Sequence, residues 1–566
     1  MRAFVKMMHV PRIAARATFK LIAGVRSVVF VASVVGAQIA TAQIATAQIA
    51  TALQAQARAS ANASTNTAAN ARPRLIVFLA IDQMRTDYFA RFGAELHGGL
   101  GRLMRQGAFF TNAMHDHAIT ETAPGHASML SGRFPVHTGI ASNAAGVGDS
   151  TAPLIGSASL GASPRRFHGT TLVDWLWKAD SGSRVLSISR KDRAAILPVG
   201  RGKRDVYWYT PEGNFTTSTY YRDTLPAWLT RFNAMHLPAS YAGRVWTPLS
   251  EEAGTFSHPI TLSNADVPAK LPTVPWMDEV TLNAALAGVR AMELGAPRGG
   301  EQHTDLLSVS LSTTDAVGHL YGPDSPEIRD QILRLDGFLG AFLDSLYVIR
   351  DSSSIVIALT ADHGVGPIPG TKSLDPNDKG QYVNVAPLEE RFRIGLRRAG
   401  VAGDAIELGN VVTVNRAALA AKQVNADSLI AAIRDSLRAK PGVLRADRIS
   451  DLQHTDTVHD AIARRWLHMF DDDSTAALVV TLQPYCYWGL LQGGGEHGSP
   501  HDYDARVPVI FVGRAFMPGR YDGDARVVDI APTLAAVVGV TPSEPTDGHV
   551  LSNVLHPTSV SAAPRR

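Results

Sequence analysis

The chain has 566 residues, of which 45% are apolar and 19% charged, a globular balance with room for a large core that excludes a disordered or fibrous protein. Its net charge of +3 arises at the start: the first 57 residues hold six basic side chains (Arg2, Lys6, Arg12, Arg16, Lys20, Arg26) and no acid, leaving 48 basic against 51 acidic residues. No clustered excess of base remains, so nucleic acid is excluded as a partner, and the single cysteine, Cys486, excludes an internal disulfide and leaves any metal to His and carboxylates.

In chain order, the basic start leads into "SVVFVASVVGAQIA", an apolar run short for a bilayer span. Small-residue sites such as "ATAQ" and "AQAR" follow, with a "QIATA" repeat from Gln38 to Ala52. Residues 1–57 therefore read as a signal peptide and low-complexity spacer, which makes the protein periplasmic or secreted, with no stable membrane association after cleavage. An uncleaved anchor is the alternative. Residues 58–73 are small and polar, a linker.

"RLIVFLAID" (74–82) is a continuous apolar run that stops at an acid, and "DLLSVSLSTTD" (305–315) and "SSIVIALTADHG" (353–364) repeat the pattern. "VPVIFVG" (507–513) is a fourth such run. Runs of this kind mark strands buried on both faces. Helical spacing between them, as in "SPEIRDQILRLDGFLGAFLDSLY" (325–347), predicts an α/β fold: a mostly parallel central sheet with helices on both faces. The catalytic domain is expected over 74–555, with cap or insertion regions at about 200–285 and 375–480 and a tail at 556–566. Sites in such sheets gather at the carboxyl ends of strands.

Asp82, Asp315 and the pair Asp362-His363 end three of these runs. His319 stands four after Asp315, one helical turn away, and His497 lies in the Gly-rich "GGGEHGSPHDYD". A single acid at a strand end is usually a helix cap. Several at the ends of different buried strands, with histidines, make two mixed O/N ligand sets, suited to two ions that share a nucleophile. Thr122, in "TETAPGHASMLSGRFP" (120–135), is a hydroxyl that becomes a nucleophile only if something removes its proton.

"AIDQMRTDY", "TAPGHASMLSGRFPVHTGI", "STTDAVGHLYGP", "LTADHG" and "EHGSP" resemble, in sequence and order, the motifs of the alkaline phosphatase superfamily. The resemblance spans about residues 74–540. It implies one zinc on Asp315, His319 and His497, a second on Asp82, Asp362 and His363, and Thr122 between them as nucleophile, so that two Zn2+ are expected per chain. His126 is read as a hydrogen-bonding residue before a ligand, and His115 and His117 have no metal role. A sulfatase, which needs Cys or Ser in a C/S-x-P-x-R context, is excluded by "TAPGH". Asn143 matches an amide that serves a nonbridging phosphoryl oxygen in nucleotide pyrophosphatase/phosphodiesterases. "SISRKDRAAILP" (187–198) and "GNFTTSTYY" resemble the Thr-nucleophile, phosphate-irrepressible (PafA-type) alkaline phosphatases. If the strand end there is extended, alternation points Lys191 and Arg193 to one face, toward the extra charged oxygen of a monoester. Glu121, beside the nucleophile, departs from what an anion site wants.

The sequence thus predicts a monomeric zinc-dependent alkaline phosphatase acting on small phosphate monoesters through a phosphothreonine. A phosphodiesterase or nucleotide pyrophosphatase on the same scaffold is the first rival, and a catalytically silent metal-binding protein the second.

Overall fold

The computed structural model describes residues 72–250, 256–259, 266–299, 302–370, 380–470, 475–489 and 494–557. The expected signal peptide and most of the expected linker and tail lie outside the described residues. No helix among the described residues is long and apolar enough to cross a membrane.

A nine-stranded sheet forms the centre. Its strands are β1 (Leu75–Ile81), β2 (Ala108–Phe110), β3 (Val185–Ser189), β4 (Asp205–Tyr209), β5 (Phe215–Thr216), β6 (Asp305–Leu311), β7 (Ile355–Thr360), β8 (Val509–Val512) and β9 (Gly519–Tyr521), in the spatial order β9-β2-β8-β7-β1-β6-β3-β4-β5. The five strands β7-β1-β6-β3-β4 run parallel to one another. Every residue of β1, β6 and β7 is buried. Successive side chains of a strand point to opposite faces, so both faces of this sheet are covered, and that is why these strands read as unbroken apolar runs. An unpaired charge inside such a strand would lose several kcal/mol of hydration (order ~3–5 kcal/mol). The acids accordingly stand at the strand ends.

The fourth apolar run, β8, pairs antiparallel with β7, a direction that a continuous apolar run does not encode. β4 and β5 lie within the stretch expected as an insertion and form one edge of the main sheet. A 24-residue helix, Pro326–Ile349, packs on the helices Gly99–Gln106 and Trp276–Ala291. Between residues 382 and 488 the chain builds a separate four-stranded sheet with its own apolar cluster, in which Ala476–Leu482 lies between Val411–Val414 and Val443–Asp447. Arg465, buried in the helix Ala461–Leu467 of the same stretch, donates to Pro500 O and, at 2.9 Å, to Asp502.

Candidate active site

Because β1, β6 and β7 are parallel neighbours, their carboxyl ends deliver Asp82, Asp315 and Asp362 to one place. Asp315 stands in the first turn of helix α3 (Thr313–Tyr321), and His319 one turn later, its Nε2 3.4 Å from Asp315 Oδ1. His497 Nε2 lies 3.8 Å from the same oxygen. The ring of His497 stacks on that of His363 with centroids 3.6 Å apart.

Each of these three imidazoles is turned by a backbone carbonyl. His319 Nδ1 bonds Gly495 O at 2.6 Å, His363 Nδ1 bonds Gly364 O at 2.9 Å, and His497 Nδ1 bonds Thr120 O at 2.8 Å. A carbonyl only accepts, so each Nδ1 carries a hydrogen and each Nε2 is turned toward the carboxylates. Among the described residues His363 Nε2 and Asp362 Oδ2 are buried and have no hydrogen-bond partner. Burial pushes His363 down to about 3 and His497 well below the usual imidazole range, so both rings are neutral. Burial also pushes the Asp362 carboxyl up, to about 7, helped by the charge of Asp82. It acts upward on Asp82 and Asp315 too, but the neighbouring basic groups together, Lys191 with His126 for Asp82 and with His319 and His363 for Asp315, hold both below the ordinary carboxylate range.

Three buried carboxylates and three imidazole Nε2 atoms converge here, a donor set whose chemistry suits a cation. Two groups of three bring ligand atoms within 4.8 Å of one another: Asp315, His319 and His497, and Asp82, His126 and Asp362. In the second group His126 already uses both ring nitrogens, Nδ1 with Thr122 O at 3.0 Å and Nε2 with Ser310 Oγ at 3.2 Å. His363, whose Nε2 is 3.4 Å from Asp362 Oδ2 and has no hydrogen-bond partner among the described residues, would make the better third ligand beside Asp82 and Asp362.

Thr122 opens helix α1 (Thr122–Ser131), which is buried throughout, and only 1% of the threonine is exposed. The small residues after it have a steric cause: a Cβ on Gly125 would lie 2.3 Å from Asp362 O, so the helix approaches the ligand loop only through a glycine. Asn143 Oδ1 accepts from Ala123 N at 2.9 Å, and Glu121 Oε2 accepts from Asn143 N at 2.6 Å. Glu121 is thus engaged with the Asn143 backbone.

Lys191 Nζ lies 2.8 Å from Asp82 Oδ2, 2.7 Å from Asp315 Oδ2 and 3.4 Å from Thr122 Oγ1. Its neighbour reaches the region differently from the alternation expected of a strand. β3 ends at Ser189, Lys191 is the last extended residue, and Arg193 stands in helix α2 (Asp192–Ile196), which packs on the Thr122 helix. Asp192, at the first helical position, accepts from Arg193 N at 2.6 Å and favours this start. Arg193 acts electrostatically on Glu121, pulling its carboxyl down against burial, which leaves it raised overall.

Two contributors escaped the sequence reading. Ser310 Oγ donates to Asp82 Oδ1 at 2.8 Å, and Gln83 bonds both Asp362 and Asp315. Nothing in their spacing sets either apart from an ordinary polar residue.

The profile described as type I phosphodiesterase / nucleotide pyrophosphatase matches residues 76–483. The alkaline phosphatase PhoV of Synechococcus elongatus is 30% identical over 521 residues, covering 86% of this chain and 93% of that protein. The alkaline phosphatase PafA of Elizabethkingia meningoseptica is 28% identical over 83% of this chain and 92% of its own. The crystal structure of wild-type PafA superposes with a TM-score of 0.78 at 26% identity, over 86% of this chain and 99% of that one. Murine ectonucleotide pyrophosphatase/phosphodiesterase 5 shares the fold at a TM-score of 0.50 and 13% identity. With a profile spanning well over half its length and relatives matched almost end to end, the chain belongs to the type I phosphodiesterase / nucleotide pyrophosphatase family, within the alkaline phosphatase superfamily.

Proposed function

We propose that this protein is an alkaline phosphatase, an exported, monomeric, zinc-dependent hydrolase of small phosphate monoesters that works through a phosphothreonine at Thr122. Relatives of this length named alkaline phosphatases support the activity. The observation that carries the mechanism is Lys191 Nζ, 3.4 Å from Thr122 Oγ1 and paired with Asp82 and Asp315: nucleophile, ligand groups and a cation for the phosphoryl group meet at one point.

Asp315, His319 and His497 would hold one zinc ion and Asp82, Asp362 and His363 a second, close to Thr122, and the metals would supply Lewis acidity that makes the threonine hydroxyl acidic and offsets charge on the departing oxygen. Thr122 Oγ1, its proton passed to water, bonds phosphorus as the bond to the ester oxygen breaks, and the alcohol leaves with a proton returned by water. Water then attacks the phosphothreonine, releases inorganic phosphate and restores the hydroxyl. Since Asn143 Oδ1 is held by Ala123 N, its amide nitrogen is left to donate to a nonbridging oxygen. Lys191 and Arg193 supply positive charge for the oxygen that is charged in a monoester and substituted in a diester.

The family description and the phosphodiesterase relatives favour the second reading, a phosphodiesterase. Comparing kcat/KM for p-nitrophenyl phosphate and bis-p-nitrophenyl phosphate decides between them. We expect a monoester preference that falls by about 10²-fold or more in Lys191→Ala/Arg193→Ala, with diester hydrolysis far less affected. A diester preference in the unmodified enzyme makes it a phosphodiesterase. Zinc binding without turnover of either ester makes it a silent metal-binding protein.

A further inference from the structure

Gln83 follows Asp82 at the end of β1 with φ of 65°, in the left-handed region where glycine is the default residue. It is fully buried. Its backbone N–H donates to Asp362 Oδ1 at 3.0 Å, and its side-chain Nε2 donates to Asp315 Oδ1 at 3.2 Å. One residue thus holds a carboxylate from each of the two ligand groups. The orientation of the amide follows from chemistry: a carboxylate accepts, so the nitrogen faces Asp315 and Oε1 faces away. Oε1 has no hydrogen-bond partner among the described residues and points at Gly318, where a Cβ would lie only 1.7 Å from it. Gly318 is in the middle of α3, between Asp315 and His319, where glycine is a poor helix former. Two locally unfavourable choices, a left-handed glutamine and a mid-helix glycine, therefore meet at one amide.

We infer that Gln83 is a positioning residue for the metal ligands. Its left-handed backbone aims the N–H at Asp362, its amide fixes Asp315, and Gly318 is glycine to admit that amide. This rests on the two-metal reading of the site. A residue that merely fills a left-handed turn would be replaced without loss by Gly or Asn, the types most at home there.

A double-mutant cycle in zinc affinity tests the inference, using the full exported chain and competition against a chelator of known affinity. Thermal unfolding of the chelator-treated proteins serves as the fold control, and the Co2+ absorption spectrum reports ligand geometry. Gln83→Gly and Gln83→Asn, whose amide is too short to reach Asp315, should each weaken zinc binding by about 10–100-fold. Gly318→Ala should weaken it similarly by displacing the amide, while the metal-free protein melts no lower, since alanine is the better helix residue. The double variant Gln83→Gly/Gly318→Ala should bind as Gln83→Gly alone, because the group to be displaced is gone. Zinc affinity within twofold of the unmodified protein in Gln83→Gly or Gln83→Asn, or additive losses in the double variant, overturns the inference. If the Gln83 variants fail to fold, Gly318→Ala decides: loss of affinity at unchanged melting supports the inference, and unchanged affinity overturns it. An unmodified protein that binds no zinc overturns the metal reading of the site, an outcome visible before any variant is compared.

Discussion

His319 Nε2 and His497 Nε2 face each other at 3.2 Å, while their Nδ1 atoms turn outward to Gly495 O and Thr120 O. When both rings are neutral with their hydrogens on Nδ1, two lone pairs oppose each other, and Asp315 Oδ1 adds a third electron pair 3.4 Å from one ring and 3.8 Å from the other. A cation among the three turns this repulsion into binding. Treatment with a chelator should therefore abolish ester hydrolysis and lower Tm, and added zinc should restore both. At a zinc concentration one hundred times its Kd the folded state gains about 2.7 kcal/mol. Calorimetry with metal analysis reads this directly, and full activity with an unchanged Tm after complete removal of metal would contradict it.

Glu121 and Asn143 make reciprocal use of the chain on either side of Thr122. The carboxylate holds Asn143 N and the Asn143 side chain holds Ala123 N. An acid beside an anion site is tolerable in this geometry, since Glu121 is engaged with a backbone donor and Arg193 lies within electrostatic reach. Glu121→Gln keeps an acceptor and should hold kcat/KM within about threefold, whereas Glu121→Ala should lower it by roughly 10–100-fold, the worth of a hydrogen bond to a charged group. Asn143→Ala removes the proposed phosphoryl donor itself and should lower kcat/KM about 10²–10³-fold. The double variant Glu121→Ala/Asn143→Ala should be close to Asn143→Ala alone. Equal, additive losses would mean that Glu121 acts independently of Asn143.

The central strands were legible because burial on both faces forces unbroken apolar runs, and the acids at their ends because a charge is tolerated only where such a run stops. Direction was not: Val509–Val512 runs against its neighbour, and its composition is the same either way. The meeting of Asp82, Asp315, Asp362, His319, His363 and His497 followed from parallel order plus a family resemblance. The turning of each imidazole by a carbonyl did not, since backbone acceptors leave no mark in a sequence. Lys191 and Arg193 illustrate the limit of periodicity. Alternation along a strand predicted a shared face, while the chain had already turned into a helix at Asp192. Gln83 was invisible for a related reason, because its role depends on a backbone φ that only the folded turn reveals.

Asp278 carries the pH dependence that is easiest to isolate. It is buried under α3, where its Oδ1 accepts from Thr313 Oγ1 at 2.8 Å and Thr313 N at 3.2 Å, and its Oδ2 accepts from Gln331 Nε2 at 2.9 Å. Burial pushes its carboxyl up to about 6, despite these hydrogen bonds. The folded state therefore holds this proton more tightly than the unfolded chain, whose carboxyl titrates near ~3.9. The stabilising contribution is complete below about pH 4 and is lost as pH rises through 6; above about pH 7 the fold carries the whole penalty, on the order of 2–3 kcal/mol. Asp278→Asn removes the charge and keeps Oδ1 for Thr313. Its new N–H₂ has an acceptor at hand in Gln331 Oε1, which is unpartnered among the described residues, once the Gln331 amide turns over. The variant should thus melt above the unmodified protein at pH 8, with the difference shrinking through pH 6 and vanishing by about pH 4. Metal-ligand protonation affects both proteins alike and cancels in that difference. Tm series at matched ionic strength test it, and a difference that does not vary with pH would show that Asp278 stays ionised in the fold.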